Sequence, residues 1–236
     1  MMAVVMFEGV SLKYDRQAPV LKGISFALPA GSFHYLMGAS GSGKTSLIRL
    51  IYGGNFAYEG TISVFGRNLA YLKAEELPMM RQQMGVIFQD FYLLDHLTAV
   101  DNVALPLRIQ GQSWSSARKM AAEVMDWIGL SDCLDAFPTT LSGGQRQRIV
   151  TARAIINRPR ILIADEPTGN LDDDNALKLL YLFEELNKQG TTVLFATHSR
   201  ELVKAFPHDV LNLKNGEISL QQESTIFADV KVARHA

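Results

Sequence analysis

Eight consecutive residues, Gly38-Ala39-Ser40-Gly41-Ser42-Gly43-Lys44-Thr45, have the types and spacing to hold a phosphate chain. They fit the pattern G-x-x-x-x-G-K-[ST] at every fixed position. The glycines let the backbone curl until successive N–H groups point into one concavity, and a helix starting there, at about Ser46, adds partial positive charge. Lys44 has the reach to meet the β- and γ-phosphates of a nucleoside triphosphate, and the Thr45 hydroxyl is an oxygen ligand for Mg²⁺. A second group, Asp165-Glu166, ends the apolar run Ile161-Leu162-Ile163-Ala164. Beside a phosphate site, Asp165 is expected to hold Mg²⁺ through a water, and Glu166 to orient or deprotonate the attacking water. Read alone, Asp-Glu-Pro-Thr also suits a plain helix start, with Pro167 in the first turn and acids near the N-terminus. The phosphate loop turns that ambiguous pair into a reading: hydrolysis of a nucleoside triphosphate.

Such groups need rigid elements behind them. Short β-type runs are predicted at residues 4–7, 24–28, 33–37, 61–65, 85–88, 161–164, 192–196 and 210–213. Those at 161–164 and 192–196 are nearly all apolar, as expected of parallel strands covered on both faces. The early runs lie close together across turns such as Pro29-Ala30-Gly31 and Gly66-Arg67-Asn68, which reads as a small antiparallel sheet. The run at 33–37 feeds the phosphate loop, and a helix at 46–51 follows it. Apolar residues at helical spacing predict further helices at 115–128, closed by Gly129, at 143–157, before Pro159, and at 175–189, stopped by Gly190. In an open α/β sheet, ligands bind beyond the carboxyl ends of the strands, which brings Asp165 to the phosphate loop. Residues 1–220 are expected to form one domain with a helical insertion at about 91–158, and residues 221–236 a flexible extension.

Composition narrows the class. The chain has 236 residues, 47% apolar and 20% charged, enough for an ordinary core and against a disordered or fibrous chain. Its 23 basic and 24 acidic residues leave a net charge of -1, against a general nucleic-acid binder. One cysteine forms no internal disulfide, and Cys133 reads as a packing residue. No apolar run approaches the ~18 residues of a membrane span, and the first residues lack a signal-peptide pattern, so a cytoplasmic protein is expected. His34, His96, His208 and His235 lack the spacing of metal ligands.

A further segment separates this chain from other phosphate-loop proteins. Leu141-Ser142-Gly143-Gly144-Gln145, followed by Arg146-Gln147-Arg148, resembles the signature sequence of ABC-type ATPases. Ser-Gly-Gly at a helix start is also a second anion-binding site in its own right, although alone it could be an ordinary N-cap. The resemblance runs from about Val4 to Leu220 with the motifs in family order. It implies an α/β P-loop fold with a RecA-like parallel core sheet, an N-terminal antiparallel β-subdomain and an inserted α-helical subdomain. It also implies binding of ATP with Mg²⁺ in a head-to-tail homodimer, the signature of one copy closing on the ATP of the other. By the same resemblance, Tyr14 stacks on adenine, and Gln89 senses Mg²⁺ and contacts the membrane partner. Asn170-Leu171-Asp172 crosses the dimer interface, and His198 bonds the γ-phosphate and the catalytic carboxylate. Catalysis then falls to Glu166, His198, Lys44 and Gln89, and metal binding to Thr45, Gln89 and Asp165.

Thr168-Gly169-Asn170-Leu171-Asp172 resembles the subgroup of cell-division, lipoprotein-release and macrolide-export ATPases. Three stretches are most similar to its cell-division members: residues 86–94, residues 101–107 and Phe183-Glu184-Glu185-Leu186-Asn187. That likeness implies an integral, FtsX-like permease subunit as partner, a peripheral place on the cytoplasmic face of the inner membrane, and control of cell-wall hydrolases. Phe91-Tyr92-Leu93-Leu94, directly after Gln89, is the expected docking stretch. A repair-type ATPase would carry a long coiled coil or zinc module before the signature, and a translation-type one two cassettes; neither is here. A non-enzymatic nucleotide module would have no need of Glu166 and His198.

Overall fold

The computed structural model describes residues 2–14, 18–54, 57–169 and 171–222. Two sheets share the molecule. The first is antiparallel, in the order β2 (Leu21–Pro29), β1 (Ala3–Leu12), β4 (Tyr58–Val64), β5 (Arg67–Asn68). The second has six strands in the order β10 (Glu217–Gln221), β9 (Asp209–Lys214), β3 (Phe33–Met37), β8 (Thr192–Thr197), β7 (Ile161–Asp165), β6 (Met84–Ile87). All its pairs are parallel except the β9–β10 hairpin. Every residue of β7 and β8 is buried, as their unbroken apolar runs require.

The first core lies between the two sheets and α1 (Lys44–Ile51), and joins Phe7, Leu47, Ile48, Ile163 and Leu194. The second covers the other face of the parallel sheet, where α6 (Asp173–Lys188) places Leu180 and Phe183 on Tyr35 and Phe195. The third is helical, with α3 (Ala99–Ile109) and α4 (Trp114–Trp127) packed on α5 (Gly143–Ile155). Two further short helices are α2 (Glu76–Arg81) and α7 (Arg200–Ala205). Helix α5 belongs to both neighbourhoods, since Val150 and Ile155 face the sheet while Ile149 and Ala152 face α3 and α4. A Cβ on Gly85 of β6 would stand 2.4 Å from the Ala154 carbonyl, so α5 lies directly on the strand there.

Helix α3 and strand β10 were not anticipated by spacing. Pro106 sits inside α3 and obscures its period, yet the helix is held by the Thr98 cap and by Asn102. The Asn102 side chain is fully buried; it accepts from Leu94 N–H at 2.8 Å and donates to the carbonyls of Leu94, Leu97 and Thr98. The expected extension at 221–236 lies, beyond Gln222, outside the described residues.

Candidate active site

The phosphate loop takes its shape from contacts no other residue would allow. A Cβ on Gly38 would meet Leu213 O at 2.7 Å, and Gly43 adopts φ 106° with Val20 only 2.9 Å from where its Cβ would lie. Gly43 is the N-cap of α1 and supplies no side-chain cap, so the first-turn N–H groups of this helix face the loop without a side-chain acceptor. That uncapped turn, with the Lys44 ammonium beside it, fits a triphosphate.

Strand ends bring the remaining groups to it. A cleft of about 650 Å³ is lined by Ala39, Ser40, Gly41, Gly43, Lys44, Thr45 and Ser46 of the loop, with Val20, Gln89, Asp165, Glu166, Gly169 and His198. Thr45 Oγ1 donates to Asp165 Oδ2 at 2.7 Å. Burial pushes the Asp165 carboxyl up from its usual range, and the Thr45 bond partly opposes this. Thr45, Asp165 and Gln89 together are a set of hard oxygen donors facing one space, the chemistry Mg²⁺ takes. Lys44 Nζ donates to Gly38 O at 2.8 Å and Ala39 O at 3.3 Å, and stands 3.1 Å from Glu166 Oε1. The other Glu166 oxygen, Oε2, lies 2.9 Å from His198 Nδ1. Lys44, Glu166 and His198 thus form one chain of polar contacts over the loop. Glu166 holds its place at a left-handed φ of 49°, rare for a non-glycine residue, with its N–H bonded to Ala196 O at 3.0 Å.

Tyr14 does not line the cleft, but its hydroxyl donates to Ser46 Oγ at 3.2 Å and fixes the half-buried ring beside the loop. Ser42 turns its hydroxyl into the fold, where it finds no partner among the described residues.

Ser142, Gly143, Gly144, Gln145 and Asp172 do not line the cleft either. Ser142 Oγ accepts from Gln145 N–H at 3.2 Å while Gln145 Oε1 accepts from Ser142 N–H at 2.9 Å, a capping box that closes the start of α5 on itself. Asp172 caps α6 through Asn175 N–H at 2.8 Å, and bonds to Asn175 hold its carboxyl below the usual range. The Asn175 side chain reaches to 3.6 Å from where a Cβ on Gly144 would lie, so the two helix starts touch. Asn170 lies outside the described residues.

Of the docking stretch, Phe91 and Leu93 turn inward against the core, while Tyr92 and Leu94 are exposed at 64% and 37%. Cys133 is buried and donates to Leu130 O, and no metal-holding group of His, Cys, Asp or Glu occurs among the described residues. His34 is buried, His208 meets Glu184, and His235 lies outside the described residues. Arg153, whose guanidinium ties residues 91 and 92 to α5, was not found from the sequence.

The family profile described as ABC transporter matches residues 21–169. The chain is 41% identical over 217 residues to the cell division ATP-binding protein FtsE of Streptococcus pneumoniae, covering 92% of this chain and 94% of that one. It is 42% identical to FtsE of Escherichia coli over 215 residues, 91% of this chain and 97% of that one. A solved dimeric ATP-binding cassette in a post-hydrolysis state, bound to ADP and Pi, superposes with a TM-score of 0.85 at 32% identity, covering 93% and 98%. The parallel core sheet, antiparallel subdomain and helical insert expected from the signature are those of that fold. With the phosphate loop, paired carboxylates and signature all in place, this chain belongs to the ABC transporter family and is one of its ATP-hydrolysing subunits, closely similar to FtsE.

Proposed function

We propose that this chain is the ATP-driven subunit of a membrane complex acting in cell division, and that it hydrolyses ATP as a head-to-tail dimer. The observation that supports the reading is the division of the site: Lys44, Glu166 and His198 are joined over the loop, while the signature residues do not line their cleft. A second copy would complete the site by offering its Gly143 and Gly144 N–H groups, which the Ser142–Gln145 box does not use.

The side chains divide the chemistry as follows. The first turn of α1 and Lys44 bind the phosphates, Tyr14 supplies a ring for adenine, and Thr45, Gln89 and Asp165 would hold Mg²⁺. When bound, Mg²⁺ neutralises charge that develops on the phosphates. Before ATP arrives, Lys44 occupies Glu166; the side chains are only 8% and 13% exposed, so neither is easily rehydrated. Phosphate gives Lys44 a stronger partner and releases Glu166 Oε1 to take a proton from water. His198, already on Glu166 Oε2, then bridges that carboxylate and the γ-phosphate. Glu166→Gln should bind Mg-ATP yet turn it over at least ~10²-fold more slowly, and accumulate as an ATP-bound dimer. Steady-state hydrolysis at the parent rate would remove Glu166 from this role.

Among the described residues no helix is long and apolar enough to cross a membrane. The likeness to FtsE supports attachment through a partner, an FtsX-like permease subunit, on the cytoplasmic face of the inner membrane. Tyr92 and Leu94, exposed just past Gln89, are where its helix would bury apolar surface. Tyr92→Asp and Leu94→Asp should release the chain from FtsX-containing vesicles in a flotation assay while nucleotide binding persists. Flotation unchanged in both variants would exclude this surface. The FtsE relatives favour this over a lipoprotein-release or export transporter.

A further inference from the structure

Helix α4 has two apolar faces and the core takes only one. Ala117, Ala121 and Met125 are buried against α3 and α5. Met120, Val124 and Trp127 recur at i, i+4 and i+7 on another face, and there Met120 is 37% and Trp127 53% exposed. They form one wall of a groove of about 680 Å³, whose floor is Ile155 and Ile156 at the end of α5 and Leu186 near the end of α6. Its rims carry opposite charges, Glu123 on α4 and Arg158 after α5, both exposed and neither in an ion pair among the described residues. We propose that residues 223–236 of the same chain fill this groove and strap α4 to the end of α6.

Position, reach and sequence pattern all favour this occupant. Strand β10 runs antiparallel to β9 and ends with Gln221 opposite Val210, so the chain leaves toward the edge where the parallel strands begin. The groove opens at that same edge, since Pro159 and Arg160 lead into β7, and Gly190 and Thr191 into β8. From β10 to β8 is three strand spacings and to β7 four, about 14–19 Å. Extended chain from Gln221 spans about 17 Å to Ile226 and about 30 Å to Val230, which is enough to enter the groove. Ile226, Ala228, Val230 and Val232 alternate with Phe227, Asp229 and Lys231. In a groove that alternation turns four apolar side chains to the floor, and Asp229 and Lys231 toward the rims that hold Arg158 and Glu123. A tether this short keeps the segment at about millimolar effective concentration, an advantage no separate partner has.

The test uses the full chain with Trp114→Phe, which leaves Trp127 as the one tryptophan of the sequence. Adding Ile226→Asp and Val230→Asp should expel the segment, because carboxylates on an apolar floor have no partner. Acrylamide quenching of Trp127 should then rise about 2-fold and its emission move to the red. Fluorescent-ATP affinity should stay within about 2-fold, since the groove shares no residue with the nucleotide cleft. Quenching and emission equal to the parent would overturn the inference. A second measurement does not rely on tryptophan. In a Cys133→Ala chain, Met120→Cys is combined in turn with Ile226→Cys, Ala228→Cys and Val230→Cys, and each pair is oxidised with copper phenanthroline. At least one pair should close within a single chain, seen as a faster band on a gel without reductant. Cross-links formed only between chains would give the groove to a second copy, and no cross-link at all would leave it to an outside partner. Either result would overturn the same-chain strap.

Discussion

Two helix starts in this molecule carry glycine and serine beside an exposed first turn, and they solve their chemistry in opposite ways. Helix α1 begins at Gly43 in a left-handed conformation with no side-chain cap, inside a cleft, next to a lysine. Helix α5 begins at Ser142 in extended conformation and is closed by its own serine and glutamine, outside the cleft. The first is incomplete without an anion. The second is satisfied as it stands and has only two spare N–H groups to offer. A helix start left open binds a ligand by itself; a helix start already capped adds to a ligand held elsewhere.

Exchanging the damage between the two starts gives the largest effect. Lys44→Ala should weaken ATP binding by at least ~100-fold, because it removes the charge facing the phosphates. Ser142→Arg should bind ATP within about 3-fold of wild type but neither dimerise nor hydrolyse, since the lesion lies on the side serving the other copy. Mixed, the two should regain hydrolysis, because each heterodimer assembles one site from an intact loop and an intact signature. Titrated mixtures whose rate is only the sum of the separate chains would end the comparison.

A smaller effect separates the glycines. Gly43→Ala must carry a Cβ at φ 106° against Val20, and should lose about 1–3 kcal/mol in thermal unfolding. Gly144→Ala meets nothing closer than 3.6 Å in a helical turn, so its unfolding should be unchanged or gain up to about 1 kcal/mol. Equal losses in both would mean that α1 is no more strained at its start than α5.

What could be read from the sequence follows the same divide. The phosphate loop, Asp165-Glu166 and the signature are contiguous, and each carries its local geometry in its own residue types. Strands β7 and β8 were legible because burial on both faces leaves an apolar run. Helix α3 was hidden by Pro106, and its main anchor, Asn102, looks like any polar residue until four backbone groups surround it. The Arg153 grip joins residues 61 and 62 positions apart, and an arginine in a basic helix gives no sign of such a partner. Among Phe91, Tyr92, Leu93 and Leu94, apolar character alone did not say which two face inward; the turn at Tyr92 decides it.

The place of β3 in its sheet has a consequence for how the chain is made. This strand, which delivers the phosphate loop, is hydrogen-bonded on one side to β8 and on the other to β9. Both neighbours lie about 155 residues or more further along, so during synthesis at 5–20 residues per second β3 waits roughly 10–30 s for its first partner. For that interval the apolar strand Phe33–Met37 has emerged with neither edge covered, and the loop behind it lacks the support of Leu213. The nascent chain therefore carries the nucleotide loop through an aggregation-prone interval before the strands that flank β3 on either side have been made.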